Sequence, residues 1–165
     1  MPAVLMGIDP GYDRVGWAVC SAKSGSLTPL GYGCIRTNAK ETQIERYQQL
    51  ARDLAAILTQ YQPVAAAVES LFFATNQKTA IAVAQARGII LAQLFDHNVQ
   101  IHQYTPLQIK QATTGYGSAD KTAVEKMVRQ QIQLPNVKII DDTIDALAMV
   151  ITLQARLRVD SASML

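Results

Sequence analysis

Along the first third of the chain, apolar residues come in short runs broken by turn-forming residues. Positions 4–8 make one run, and Asp9-Pro10-Gly11-Tyr12-Asp13 is a dense turn signal after it. Positions 15–20 make a second run, Lys23-Ser24-Gly25-Ser26 a second turn, and positions 27–37 a third extended stretch. Short turns between successive strands predict an antiparallel meander, because a parallel return needs a long crossover. From about position 41 to 61 the period becomes helical. Ile44, Tyr47, Leu50, Leu54, Ile57 and Leu58 share one side, and Pro63 closes the segment.

An apolar run at 64–68 ends at Glu69 and predicts a buried strand; a long helix follows at 76–95, then a strand at 99–104. Thr105-Pro106 puts an N-cap residue ahead of proline at the first helical position, a strong start signal. That helix breaks at Gly115-Tyr116-Gly117, Ser118 is expected to cap the next with Asp120 in its first turn, and a last helix spans 142–153. The order predicts an α/β protein: a mixed five-stranded sheet, antiparallel in one half and parallel in the other, flanked by helices on both faces. Residues 1–158 are expected to form a single domain and 159–165 a disordered tail.

Composition narrows this only a little. The 165 residues suit one domain, and 49% hydrophobic with 17% charged residues excludes a disordered chain. A net charge of +2 does not announce a nucleic-acid binder, so the placement of the basic residues matters more than their number. Cys20 and Cys34 have neither metal-ligand spacing nor a disulfide framework around them. The apolar N-terminus reaches Asp9 too soon for a signal peptide, and the helical segments carry Gln, Arg and Lys too often for a membrane span. The resulting expectation is a cytoplasmic protein with no membrane partner.

Four carboxylates stand out against this background. Asp9 ends the first strand, and Glu69 ends a strand whose preceding residues, Ala65-Ala66-Ala67-Val68, are entirely apolar. A charge in such a place is costly unless it is paired or binds a metal. Asp142 and Asp145 are three apart at the start of a helix, so both project on one face. Phosphodiester hydrolysis by hard cations needs several carboxylates converging from separate elements. Each acid alone has a plainer explanation, as a turn residue beside Pro-Gly or as a partner of a helix dipole. It is the set that signals chemistry. Asp141 lies four residues before Asp145, and spacing alone does not choose between Asp141 and Asp142.

The motifs around these acids resemble those of the RuvC family of Holliday junction resolvases. The matching segments are Gly7-Ile8-Asp9-Pro10-Gly11, Gly31-Tyr32-Gly33-Cys34-Ile35-Arg36-Thr37, Val68-Glu69-Ser70-Leu71-Phe72, Gln85-Ala86-Arg87-Gly88, Gln108-Ile109-Lys110-Gln111, Gly115-Tyr116-Gly117-Ser118-Ala119-Asp120-Lys121 and Asp142-Thr143-Ile144-Asp145-Ala146-Leu147-Ala148. Each is weak alone; their order and spacing over nearly the whole chain is highly specific. The resemblance implies an RNase H-like fold and a catalytic, metal-binding tetrad of Asp9, Glu69, Asp142 and Asp145. It sets the helix frame on Asp142, with Asp141 an additional acid that departs from the family pattern.

The resemblance further implies two Mg²⁺ ions per site, with Mn²⁺ an alternative, and a homodimer acting on a four-way DNA junction. Paired symmetric nicks would leave 5′-phosphate and 3′-hydroxyl ends, and a branch-migration helicase complex is the expected partner in recombination and repair. Phe72 falls where the family inserts an aromatic near the junction centre. Lys110 and Lys121 match positions that contact phosphates, and Lys78 and Arg87 are expected to extend that DNA-binding surface, as are Lys126 and Arg129. The helix at 76–95 carries two apolar stripes, Ile81, Ala84, Gly88, Leu91, Phe95 and Ala80, Val83, Ile90, Leu94; one is expected to cover the sheet and the other a second subunit.

Three other functions compete. Gly7-Ile8-Asp9-Pro10-Gly11 also resembles the first phosphate loop of actin-like ATPases and sugar kinases, but those enclose their nucleotide between two lobes. An RNase H-like nuclease for RNA–DNA hybrids or ribosomal RNA precursors would lack a reason for the Phe72, Lys110 and Lys121 motifs. A non-catalytic junction binder would have no use for four mutually repelling acids.

Overall fold

The computed structural model describes residues 2–70 and 77–162, with backbone alone at 77, 78, 161 and 162. β1 (Ala3–Asp9), β2 (Arg14–Lys23) and β3 (Ser26–Arg36) form the predicted meander, and α1 (Gln43–Tyr61) leads into β4 (Ala65–Glu69). α2 (Gln77–Asp96), β5 (Gln100–Tyr104), α3 (Pro106–Thr114), α4 (Lys121–Gln131) and α5 (Asp141–Ala162) follow. The sheet has the order β3-β2-β1-β4-β5, antiparallel from β3 to β1 and parallel from β1 to β5. This is the mixed five-stranded sheet that the strand order implies.

Strand alternation divides the core in two. Met6, Ile8, Val19, Ala66 and Val68 point towards α1 and α2, where Leu50, Leu54, Leu58, Ile90 and Leu94 close one layer. Leu5, Ala18, Cys20, Ala65, Ala67 and Tyr104 point the other way, onto a second layer rich in residues of α5 such as Ile144, Leu147, Met149 and Leu153. From Ile144 to Leu153 every apolar residue of α5 is buried, as befits a helix enclosed on most sides. Two glycines let it lie on the sheet. A Cβ at Gly7 would overlap the Ala146 carbonyl, and one at Gly16 the Asp142 carbonyl.

Helix starts follow local chemistry. Thr42 with Glu45 and Thr105 with Gln108 form capping boxes, the second followed by Pro106. Two boundaries correct the sequence expectation. α4 is capped by Asp120, which accepts from the Ala123 amide at 2.8 Å, and not by Ser118, because the carboxylate meets the positive helix end directly. α5 continues past 153 to Ala162, four residues into the segment expected to be a tail. Leu157 extends its packing, and an Arg156–Asp160 ion pair of 3.3 Å supports its exposed side. Among the described residues no helix is long and apolar enough to cross a membrane.

Candidate active site

The sheet register brings the first two acids together. β1 and β4 are parallel with Ile8 beside Val68, so Asp9 and Glu69 leave adjacent strands at the same level. Ile8 and Val68 belong to the α1/α2 layer, so alternation turns Asp9 and Glu69 towards α5. Gly16 is the register partner of Asp9, and its missing side chain is where the first turn of α5 rests. The Thr143 hydroxyl donates to the Gly33 carbonyl at 3.0 Å and pins that turn to β3. Asp142 and Asp145 are thereby held over the ends of β1 and β4.

These acids share one electrostatic field. Burial, then Asp145, Glu69 and Asp142, push Asp9 from its usual 3.8 up to about 8, with Lys121 opposing. Burial and Asp145 raise Glu69, and Lys110 pulls it back. Asp145 is raised chiefly by burial, with Asp141 and Asp142 adding and Lys121 and Lys110 opposing. In each case desolvation leads and like charge adds to it.

Asp141 and Asp142 are used differently. Asp141 accepts from Lys121 Nζ at 3.1 Å with its side chain 70% exposed, whereas the Asp142 side chain is 21% exposed and lies 3.2 Å from Arg14 Nε. Asp142 is among the acids that raise Asp9. The Arg14 contact is an ion pair without hydrogen-bond alignment, since Asp142 Oδ2 is buried and has no hydrogen-bond partner.

Basic residues border the acids. Glu69, Asp145, Lys110 and Lys121 line a cleft of about 160 Å³ walled by Ile109, Val124 and Met149. A larger hollow of about 540 Å³ between β5, α3 and α5 lacks any acid, so size does not locate the chemistry here. Arg87 Nε donates to the Glu69 carbonyl at 3.0 Å and Nη2 to Gln103 Oε1, so the side chain fastens the ends of β4 and β5 beneath Glu69. Arg129 is tied to Glu125 and to the Pro135 and Val137 carbonyls. Phe72 and Phe73, and the side chain of Lys78, lie outside the described residues.

Two residues to which the sequence assigns no role also reach this end of the sheet. Arg14 and Arg36 are register partners on β2 and β3, and their neighbours Val15 and Ile35 are buried in the α1/α2 layer. Alternation therefore sets both arginines on the α5 face. Cys34, two residues from Arg36 on β3 and opposite Gly16, lies in the same field: burial and Asp142 raise its thiol, while Arg36 and Arg14 draw it down. Only the pairing of the strands reveals this; the sequence shows two isolated arginines.

Asp9, Glu69, Asp142 and Asp145 offer hard oxygen donors, one of them a buried oxygen without a hydrogen bond, and their accumulated charge favours a cation. Among the described residues no three carboxylate, imidazole or thiol groups already converge as ligands of one ion. A cation would have to draw these side chains together on backbones that are already in place. The donor set fits a divalent ion in type and charge.

A mixed sheet of this order, with acids on its two central strands and on a helix laid across them, defines an RNase H-like fold of the metal-dependent nuclease class. A sequence model described as crossover junction endodeoxyribonuclease RuvC matches residues 5–153. Crossover junction endodeoxyribonuclease RuvC of Roseiflexus sp. (strain RS-1) is 43% identical over 146 residues, spanning 88% of this chain and 87% of the relative. That of Caldicellulosiruptor saccharolyticus is 42% identical over 146 residues, 88% of each chain. The solved structure of T. thermophilus RuvC in complex with Holliday junction substrate superposes with a TM-score of 0.90 at 31% identity, covering 96% of both chains. The chain belongs to the RuvC family of crossover junction endodeoxyribonucleases, a family that uses divalent metal.

Proposed function

We propose that this protein is a structure-selective endonuclease that resolves four-way DNA junctions in recombination and repair. Acting as a homodimer, it nicks two opposing strands symmetrically and leaves 5′-phosphate and 3′-hydroxyl ends. One observation carries the reading: four carboxylates delivered from β1, β4 and α5 to one face, in a chain of this family. The nuclease domain extends through α5 to Ala162.

Asp9, Glu69, Asp142 and Asp145 would hold two Mg²⁺ ions, with Mn²⁺ the alternative. When bound, such ions lower the pKa of the attacking water and stabilise the leaving 3′-oxygen. Burial and the neighbouring acids raise Asp9 to about 8, which favours its protonated form while no cation offsets the clustered charge. Lys110 and Lys121 flank Glu69 and Asp145, where they hold the phosphate and offset its charge. Arg87, fixed to the Glu69 carbonyl, keeps the end of β4 in position and adds to the DNA-binding surface with Lys78. Phe72 stacks on an unpaired base at the junction centre, a contact of roughly 1–3 kcal/mol.

The dimer reading is supported by α2. Ile90 and Leu94 are buried against the sheet, while Ile81 and Phe95 on the other stripe are 71% and 77% exposed and a Cβ at Gly88 would meet nothing. Two-fold pairing along that stripe would present two sites to opposing strands. The setting is cytoplasmic, with a branch-migration helicase complex as partner.

The test offers the protein a mobile four-way junction and a linear duplex of the same sequence, each with Mg²⁺ or EDTA. Paired nicks in the junction alone, and with metal alone, are expected. Metal-independent cutting, or equal cutting of the duplex, would overturn the proposal.

A further inference from the structure

We infer that Arg14 and Arg36 form a second phosphate-binding flank, across the acids from Lys110 and Lys121, so that the DNA strand is gripped on both sides of the carboxylates. This rests on the junction-nuclease reading and adds a specific pair of residues to it.

The strand order carries the placement. Moving one way from Asp9 on β1, the α5 face passes Glu69 on β4 and reaches Lys110 and Lys121. Moving the other way, it passes Arg14 on β2 and Arg36 on β3. Neighbouring strands lie about 4.8 Å apart, so the two arginines stand roughly one and two strand widths from β1. Arg14 reaches Asp142 at 3.2 Å, which puts its guanidinium at the margin of the acid cluster.

Two like charges directly opposite on antiparallel strands are destabilising. Asp142 compensates Arg14 in part, yet the Arg14 side chain remains 52% exposed. Arg36 is exposed, and among the described residues no carboxylate pairs with it. The pair therefore has donors to spare, directed to the same side as the candidate site. An anion between them would relieve the repulsion. Guanidinium is the group whose planar fork suits phosphate, and a phosphodiester backbone is the anion that this site must receive.

The experiment measures binding of the full chain to a four-way junction by fluorescence anisotropy over a salt series, in EDTA so that no cleavage intervenes. Arg14→Gln and Arg36→Gln are each expected to weaken binding and to make the slope of log K against log salt shallower by about 0.9. The double variant should lose about twice that, and Arg14→Lys with Arg36→Lys should restore the slope. Thermal melts establish that each variant is folded. A folded double Gln variant with wild-type affinity and slope would overturn the inference. So would an Arg14→Gln variant whose Mn²⁺ affinity by calorimetry changes while its slope does not, since Arg14 would then serve Asp142 alone. A wild-type protein that shows no preference for the junction over duplex would instead count against the proposed function, since the slopes still report on the arginines.

Discussion

The two faces of the sheet share one alternation of apolar residues but treat charge in opposite ways. On the α1/α2 face, Ile8 and Val68 are fully buried at the strand ends, and the buried charge nearby is Arg46. Its guanidinium donates to Thr37 Oγ1 at 2.9 and 2.7 Å, to the Tyr12 carbonyl at 3.4 Å and to Asp13, and lies 3.8 Å over the Tyr12 ring. On the α5 face the next residues along the same strands are Asp9 and Glu69, gathered with Asp142 and Asp145. Burial raises Asp9, Glu69 and Asp145, and neighbouring acids raise them further. A buried charge tied down by hydrogen bonds and an ion pair holds a turn in place. A cluster of desolvated like charges awaits a ligand, and that difference marks which face has a function beyond folding.

The strongest challenge to this contrast separates two neighbouring acids. Asp142→Asn should lower junction cleavage by roughly 10³-fold, the equivalent of several kcal/mol of metal assistance at about 1.4 kcal/mol per tenfold. Asp141→Asn should change it far less, since Asp141 faces Lys121 and solvent. Single-turnover cleavage of a four-way junction reads both, and the reverse ranking would move the site to Asp141. On the opposite face, Leu54→Ala should cost about 2–5 kcal/mol in a denaturant melt while cleavage below its melting temperature stays close to wild type. A cleavage loss larger than the folding loss would show that the faces are not independent.

A smaller effect tests the cost of the acid cluster. The folded pKa of Asp9, near 8, stands above its ordinary 3.8, so the native protein binds that proton more tightly than the unfolded chain. The associated stability is complete below about pH 4 and is lost as pH rises towards 8. Asp9→Asn removes this titration while Glu69, Asp142 and Asp145 still repel one another. At pH 8 in EDTA the variant should be more stable by on the order of 2 kcal/mol, with the gap closing towards pH 4. Identical pH profiles for the two proteins would contradict the cluster's electrostatics.

Much of this was legible in the residues because it is local. Short turns between apolar runs define the meander, and Thr105-Pro106 announces α3. Ser118 and Asp120 are both good capping residues two positions apart, so residue type alone does not choose Asp120 as the cap of α4. Other features are set by contacts between distant segments, such as the packing of Leu157 on the core near the end of α5. Gly16 reads as an ordinary strand glycine until α5 is laid against it. The acids were visible one by one, and their order among family motifs singled them out. Their mutual facing follows from the β1–β4 register, which a single chain reading does not contain. Arg14 and Arg36 were missed for the same reason.

The most direct test of the account pairs binding with cleavage for Asp9→Asn on one labelled four-way junction. Junction affinity at wild-type strength with paired nicking in Mg²⁺ abolished is the predicted result, because the residue at the centre of the acid cluster serves chemistry and not DNA affinity. Undiminished nicking at full junction binding would contradict it.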